Sequence, residues 1–408
     1  MHNNAFATNK SKAITSRLFM LNGIYSNPTT IYFGKGMEFK IGEEVAKYSK
    51  NTLLHYGRNS FKEYGLYDKV TRSLKDNGIR YIELGGVKPN PGTDLVYRGI
   101  RLCREENLDF VVAVGGGSVI DSAKAISAGV LWPGDFYELF DGKTTPQKAL
   151  KLGTILTIPG SGSESSTGAI ITHEEKKLKR ALDSPLIAPI FSILNPELTL
   201  TVSKYDTSCG VVDAISHVFE RYFTNTPFVD CSDRICEALL KTLMKYALLV
   251  NDSPFNYDIR AEIMWACKLA HDNTISFGRK QDWATHRIGH EIGALYDVSH
   301  GATMAILFPA WMKYTYKANI PRFEQFANRI FDINPTSSAQ VILSAIENLT
   351  MFLKAIGMPT TLRELGINDK TNFPVMAQKC VKQMPSGTIG NFTRLAPHDI
   401  VNILEIAY

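Results

Sequence analysis

The chain has 408 residues, 44% of them hydrophobic and 21% charged, with a net charge of +5. That is the composition of a globular protein with room for two domains. The charge is mild, its one short basic run (Lys176 to Arg180) follows Glu174 and Glu175, and no apolar stretch reaches the length of a membrane span, so no nucleic acid and no membrane is expected as a partner. The six cysteines, at 103, 209, 231, 236, 267 and 380, contain no C-x-x-C pair, which favours reduced thiols in a cytoplasmic enzyme over a disulfide framework. No acidic residue precedes Glu38, while Lys10, Lys12, Arg17 and Lys35 do. Residues 1–17 therefore read as a disordered leader, loosely like a transit peptide.

After the leader, Thr29 to Phe33 reads as a strand and Glu38 to Tyr48 as a helix. Strand Asn51 to Tyr56 ends in Gly57. Helix Tyr67 to Asn77, strand Arg80 to Leu84, the turn GGVKPNPG at 85–92 and helix Asp94 to Glu106 follow. Phe110 to Val114 is an apolar strand running into Gly115, Gly116 and Gly117. Strands Gly153 to Pro159 and Ile190 to Leu194 complete this half. Alternating strands and helices predict a Rossmann-like α/β domain with a parallel sheet. Beyond Asn195-Pro196-Glu197 the hydrophobic period changes from 2 to 3.6. Helices are expected at Tyr205 to Tyr222, Asp230 to Val250, Ile259 to His271, Asp282 to Tyr296, Arg322 to Ile330, Ser338 to Ile356 and His398 to Ile406. The expected organisation is the leader, an α/β domain over 18–195 and an all-α domain over 196–408.

The stretch DFVVAVGGGSVIDSAKAI at 109–126 is a strand, a glycine turn and a helix start. Glycines admit a close ligand, and the free N–H groups of a helix start bind phosphate. Ser118 is placed to cap that helix with Asp121, as in a capping box. The turn is not the G-x-G-x-x-G fingerprint, because Ile120 occupies its last glycine position, and a purely structural tight turn is the alternative. A second small-residue turn, PGSGSESSTGA at 159–169, follows another strand. Two such turns place a ligand at the carboxyl ends of the strands. At 56–60 the sequence is YGRNS, with no carboxylate before Glu63 to hold a ribose 2′-hydroxyl. Arg58, Asn59 and Ser60 can instead bind a 2′-phosphate, which predicts NADP(H) in preference to NAD(H). A solvated surface charge is the other reading of Arg58.

The stretch QDWATHRIGHEIGALYDVSH, Gln281 to His300, holds three of the nine histidines. His286 and His290 are four apart, on one face of a helix, and a turn near Asp297 brings His300 back toward them. A lone histidine is usually a satisfied core or surface side chain; three together, beside Ile288, Ile292 and Leu295, point to a metal. Some seventy residues earlier, Asp213 and His217 are again i and i+4, on a stretch whose apolar residues predict a buried helix. A buried carboxylate needs a partner. The alternative is a helix-surface pair. One Asp and up to three His suit Fe(II) or Zn(II) without selecting between them.

In order along the chain, NPTTIYFGKG at 27–36, GGVKPNP at 85–91, VGGGSVIDSAK at 114–124, LTIPGSGSES at 156–165, SILNPELT at 192–199, GVVDAISH at 210–217, DWATHRIGHEIGA at 282–294 and SHGATMAILFP at 299–309 resemble the iron-containing (group III) alcohol dehydrogenases. The likeness is to their butanol dehydrogenase and NADPH-dependent aldehyde reductase branch and runs from about residue 20 to the C-terminus. It implies a dehydroquinate synthase-like fold, a metal held by Asp213, His217, His286 and His300, and His290 beside the nicotinamide. It implies dinucleotide contacts from Gly57, Arg58, Asn59, Ser60, Asn90, Gly116, Gly117, Ser118, Asp121, Thr157, Ser161, Ser166 and Lys179. Where the family usually has Thr before the second glycine of PGSGSE, this chain has Ser161, which keeps the hydroxyl. The implied reaction is hydride transfer between NADP(H) and short- to medium-chain aldehydes or alcohols, in a homodimer, with His290 as a candidate proton relay. A glycerol dehydrogenase-like or lyase member of the superfamily is the alternative. So is a metal-dependent hydrolase, which would need neither the glycine turns nor Arg58.

Overall fold

The computed structural model describes residues 20–58, 60–334, 339–382 and 384–408; Asn59 and the expected leader, 1–17, lie outside them. The strands are β1 (Thr30–Phe33), β2 (Asn51–Tyr56), β3 (Arg80–Leu84), β4 (Phe110–Gly115), β5 (Lys151–Leu156), β6 (Gly168–His173), β7 (Leu178–Asp183) and β8 (Phe191–Leu194). Six form one sheet in the order β1-β8-β5-β4-β2-β3, with every pair parallel. Parallel sheets are covered on both faces, which is why β2 and β4 are near-continuous apolar runs. Alternate residues serve opposite layers. Leu53, Val111 and Leu152 pack with Val96, Ile120 and Ala123, whereas Leu54, Val112 and Ile155 pack with Ile41, Val70 and Leu74. The helices supplying these layers are α1 (Ile41–Ala46), α2 (Ser60–Glu63), α3 (Leu66–Asp76), α4 (Thr93–Glu105), α5 (Gly117–Val130) and α6 (Tyr137–Phe140).

Three local expectations are corrected. The helix expected over Glu38 to Tyr48 is a 3-10 turn, Met37–Lys40, followed by the short α1. Glu38 is buried there, accepting from Asn195 and Lys69. Strand β5 ends at Leu156 rather than Pro159, because the chain turns at Thr157, whose N–H bonds back to the Gly115 carbonyl. Finally, β6 and β7 form an antiparallel hairpin that the sequence reading missed. Its β6 packs on α5 and its β7 on α10 (Ala284–Tyr296), so the hairpin joins the sheet to the helical half.

That half contains α7 (Lys204–Tyr222), α8 (Asp230–Asp252), α9 (Tyr257–His271), α10, α11 (His300–Thr315), α12 (Ile320–Phe331), α13 (Ala339–Ala355), α14 (Phe373–Val381) and α15 (Pro397–Ala407). Helix α7 is central and packs against α8, α9 and α11. Ser203 caps it, accepting from the Asp206 N–H. Among the described residues, no helix is long and apolar enough to cross a membrane.

One buried histidine ties the sheet to the glycine-turn helix. His55 on β2 donates through Nδ1 to the Leu84 carbonyl at 2.8 Å, and its Nε2 accepts from Ser122 Oγ on α5 at 2.9 Å. The acceptor role of Nε2 requires the neutral ring. Burial lowers its pKa to about 4, against the pull of the Leu84 carbonyl. The folded state thus binds this proton more weakly than the unfolded chain, and the stability is lost as pH falls from about 6.5 toward about 4. At pH 5 the loss from this group should be about 2 kcal/mol relative to pH 7.5. Urea unfolding at the two pH values should show a smaller drop for His55→Gln than for the wild type. Equal drops would contradict this role.

Candidate metal centre and dinucleotide cleft

Asp213 and His217 lie one turn apart on α7, His286 and His290 one turn apart on α10, and His300 at the start of α11. Packing of α7 against α11, and of α11 against α10, brings them together. The Nε2 atoms of His300, His217 and His286 lie 3.6, 3.8 and 4.0 Å from Asp213 Oδ1. One ligand atom each from Asp213, His286 and His300 lies within 4.8 Å of the others. These separations are too long for direct hydrogen bonds. The 3.6–4.0 Å separations do fit atoms that each approach one ion to about 2.0–2.2 Å; His217, close to Asp213, falls outside the set of three whose ligand atoms all lie within 4.8 Å of one another. Asp213 Oδ1 is buried with no hydrogen-bond partner, as are His217 Nδ1 and His300 Nδ1. Desolvation pushes the Asp213 carboxyl up to about 6 against the pull of His286 and Lys179. Burial, with repulsion from neighbouring cations, holds His217 and His300 well below the usual imidazole range. They are therefore neutral, the form that binds metal. The residues fit a divalent cation.

His290 stands apart from that set. Its ring is 5.4 Å from His300 and 6.5 Å from His286, centroid to centroid, and its buried Nε2 has no partner. No contact of His290 with Asp213 within 4.0 Å occurs among the described residues.

The glycine turns meet at the carboxyl ends of β2, β4 and β5. A Cβ on Gly117 would lie 2.2 Å from Ser161 Oγ, so the two turns touch, and one on Gly57 would lie 3.7 Å from Val119. Gly116, Gly117, Ser118, Thr157 and Ser161 are all partly exposed there. The expected capping box does not form. Helix α5 begins at Gly117 with Gly116 as N-cap, so Ser118 is already inside the helix. Asp121 instead accepts from Ser163 Oγ at 2.6 Å and from the Ile170 N–H at 3.0 Å, pinning the second turn and the hairpin. Both its oxygens are thereby engaged by the protein itself. Ser166 is buried, and its carbonyl accepts from Lys124. Arg58 and Ser60 are exposed at the end of β2.

The cleft and the metal centre adjoin. Gly160 in the second turn lies against Gly210, three residues before Asp213, and Gly162 lies against His271. Lys179 Nζ donates to Asn90 Oδ1 at 2.8 Å, and Asn90 Nδ2 to Asp297 Oδ1 at 2.9 Å, a bridge from the hairpin to the end of α10. Burial lowers the Lys179 pKa to about 8, while Asp213 and other acids pull it up.

Two residues here escaped the sequence reading. Glu220 accepts from His286 Nδ1 at 2.7 Å. It was legible as the i+7 member of the Asp213, His217 face. His271 closes α9 with its ring centroid 4.1 Å from that of His217, and nothing in its sequence context marked it.

Residues 28–196 match the family model for iron-containing alcohol dehydrogenase, and 207–408 match that for the C-terminal part of the Fe-containing alcohol dehydrogenase family. The chain is 42% identical over 392 residues to a probable NADH-dependent butanol dehydrogenase of Bacillus subtilis, covering 95% of this chain and 99% of that one. It is 35% identical to the NADPH-dependent aldehyde reductase YqhD of Escherichia coli, over 86% of this chain and 91% of the relative. The crystal structure of NADH-dependent butanol dehydrogenase A from Thermotoga maritima superposes with a TM-score of 0.92 at 38% identity, covering 96% of this chain and 100% of that one. The hydrolase alternative falls with these matches. The chain belongs to the iron-containing alcohol dehydrogenase family, and it is an oxidoreductase acting on alcohols or aldehydes.

Proposed function

We propose that the protein reduces short- to medium-chain aldehydes with NADPH, using one divalent ion, Fe(II) or Zn(II), held by Asp213, His217, His286 and His300. The observation that carries this reading is the convergence of three imidazole Nε2 atoms on Asp213 Oδ1, next to two glycine turns at strand ends. A divalent ion bound there supplies Lewis acidity to the substrate oxygen. The chain's own residues do the rest. The turns at Gly116 to Ser118 and Thr157 to Ser161 offer backbone and hydroxyl groups to the dinucleotide, with Gly57, Asn90, Ser166 and Lys179 around it. Hydride adds to the carbonyl carbon and a proton to its oxygen, giving the alcohol and the oxidised nicotinamide. His290 is the proposed relay for that proton. His290→Ala should lower turnover about a hundredfold and alter its pH profile. Unchanged turnover and an unchanged profile would contradict the role. A homodimer is the proposed assembly, on the family resemblance. The six cysteines are free, which suits the reducing cytoplasm proposed for the protein.

The relatives divide on the cofactor. The names of the Bacillus and Thermotoga proteins carry NADH, and that of the E. coli protein NADPH. The preference for NADP(H) is therefore read from this chain's own residues. Arg58 is exposed where β2 ends. The carboxylate on the neighbouring strand, Glu83, is tied up by the Tyr56 and Tyr67 hydroxyls, at 2.7 and 2.6 Å, and by Lys62. A guanidinium-phosphate bond is worth about 1.5–3 kcal/mol. Arg58→Ala should lower kcat/KM for NADPH about tenfold to a hundredfold and leave NADH within about twofold. Equal efficiency with both cofactors in the wild type would contradict the preference.

A further inference from the structure

We infer that Glu220 is the positioning residue that sets the tautomer and the direction of His286 for metal binding. The inference rests on the metal reading of Asp213, His217, His286 and His300. Glu220 lies on α7, three residues after His217 and seven after Asp213, on the same buried face. Its carboxylate reaches across to α10. Oε1 accepts from His286 Nδ1 at 2.7 Å and from the His286 backbone N–H at 3.0 Å, while Oε2 accepts from the Trp283 N–H. A proton fixed on Nδ1 leaves the Nε2 lone pair free, 4.0 Å from Asp213 Oδ1 and 3.4 Å from Ser216 Oγ. The other two imidazoles have no such support, since the Nδ1 atoms of His217 and His300 are buried without partners. His286 is thus the one ligand of the three held in its binding form by a protein acceptor.

The same carboxylate starts the helix that carries His286. No side chain of α10 caps its own N-terminus, where Trp283 adopts φ +68°. Glu220 takes up two of the free N–H groups there, and a negative charge at that end is favourable. Its one charged or chargeable partner within 4.0 Å, among the described residues, is His286. The neighbouring Arg221 turns away, donating to the His217 carbonyl and to Ser276. Among the described residues, neither Glu220 nor Asp213 has a guanidinium or ammonium group within 4.0 Å, which leaves both carboxylates available to support a bound cation.

The test uses the full chain, stripped of metal and titrated with Zn(II) or Co(II) against a chelator. Glu220→Gln should weaken binding about tenfold to a hundredfold and shift the visible spectrum of the Co(II) form. Thermal unfolding of the metal-free proteins separates this from a loss of the helix cap. A lower midpoint with unchanged affinity in the folded protein would mean a cap only, and would overturn the inference. In 15N-histidine-labelled wild type, His286 should be protonated at Nδ1; an Nε2-protonated ring would overturn the inference whatever the variant does. A wild type that binds neither ion would sink the metal reading itself, and this inference with it.

Discussion

Asp213→Ala should abolish metal binding and lower turnover by about three orders of magnitude or more, a loss of about 4 kcal/mol in transition-state stabilisation. Among the described residues the carboxylate is the one acidic group in the cluster, and three Nε2 atoms lie 3.6–4.0 Å from its Oδ1. Removing it takes away one of the four proposed ligands together with its charge. The metal-free variant should nonetheless fold. Oδ1 is buried and has no hydrogen-bond partner, and desolvation has pushed the carboxyl up to about 6. Truncation therefore removes an unfavourable burial and costs little packing. The expected pattern is a metal-free thermal midpoint equal to or above that of metal-free wild type, together with lost turnover. Metal content by elemental analysis and unfolding by calorimetry check both halves. A variant that keeps its metal would contradict the ligand set.

Gly301→Ala should be the most damaging single-methyl change near the site. A Cβ there would lie 2.1 Å from the Cys209 carbonyl oxygen and 2.6 Å from its carbonyl carbon and Cα. These are backbone atoms of α7 and cannot rotate aside. Helix α11 must then move away from α7, and His300, adjacent in sequence, moves from Asp213. Overpacking of this kind costs about 1–3 kcal/mol. For a unit of this size that lowers the melting temperature by about 2–10 °C. Zn(II) affinity should fall with it. An unchanged midpoint and affinity would show that the helices are not held at the separation the structure gives.

Much of the sheet was legible because its signals are local. Strand Arg80–Leu84 matched its expected bounds, and β2 ran from Asn51 to Tyr56 as expected. The hairpin was not legible. Its second strand, LKRALD, carries Lys179, Arg180 and Asp183, and it read as part of a basic run. Its partners are α10 and β6, which local sequence cannot show. Helix α11 was missed for the opposite reason. It is buried nearly all round and contains Pro309, so it has neither an amphipathic period nor an unbroken helical pattern. Helix α10 begins two residues later than expected because Trp283 takes a left-handed conformation and the cap comes from another helix. Ser118 failed as a cap because Gly116 already fills that place. The candidate cluster was visible as Asp213 with His217 four residues on and as His286 with a following His300, but spacing alone did not set His290 apart from it. Glu220 was in phase with the Asp213 and His217 face in the sequence, but what it touches, like the Gly301 contact, depends on how α7, α10 and α11 cross.

The measurement that bears most directly on the central claim is NADPH and NADH oxidation with butanal, on protein stripped of metal and then reloaded anaerobically with Fe(II) or Zn(II). The account predicts no turnover without metal, recovery on reloading, and faster oxidation of NADPH than of NADH. Equal turnover in the stripped protein, or none in the reloaded protein with its metal bound, would contradict it.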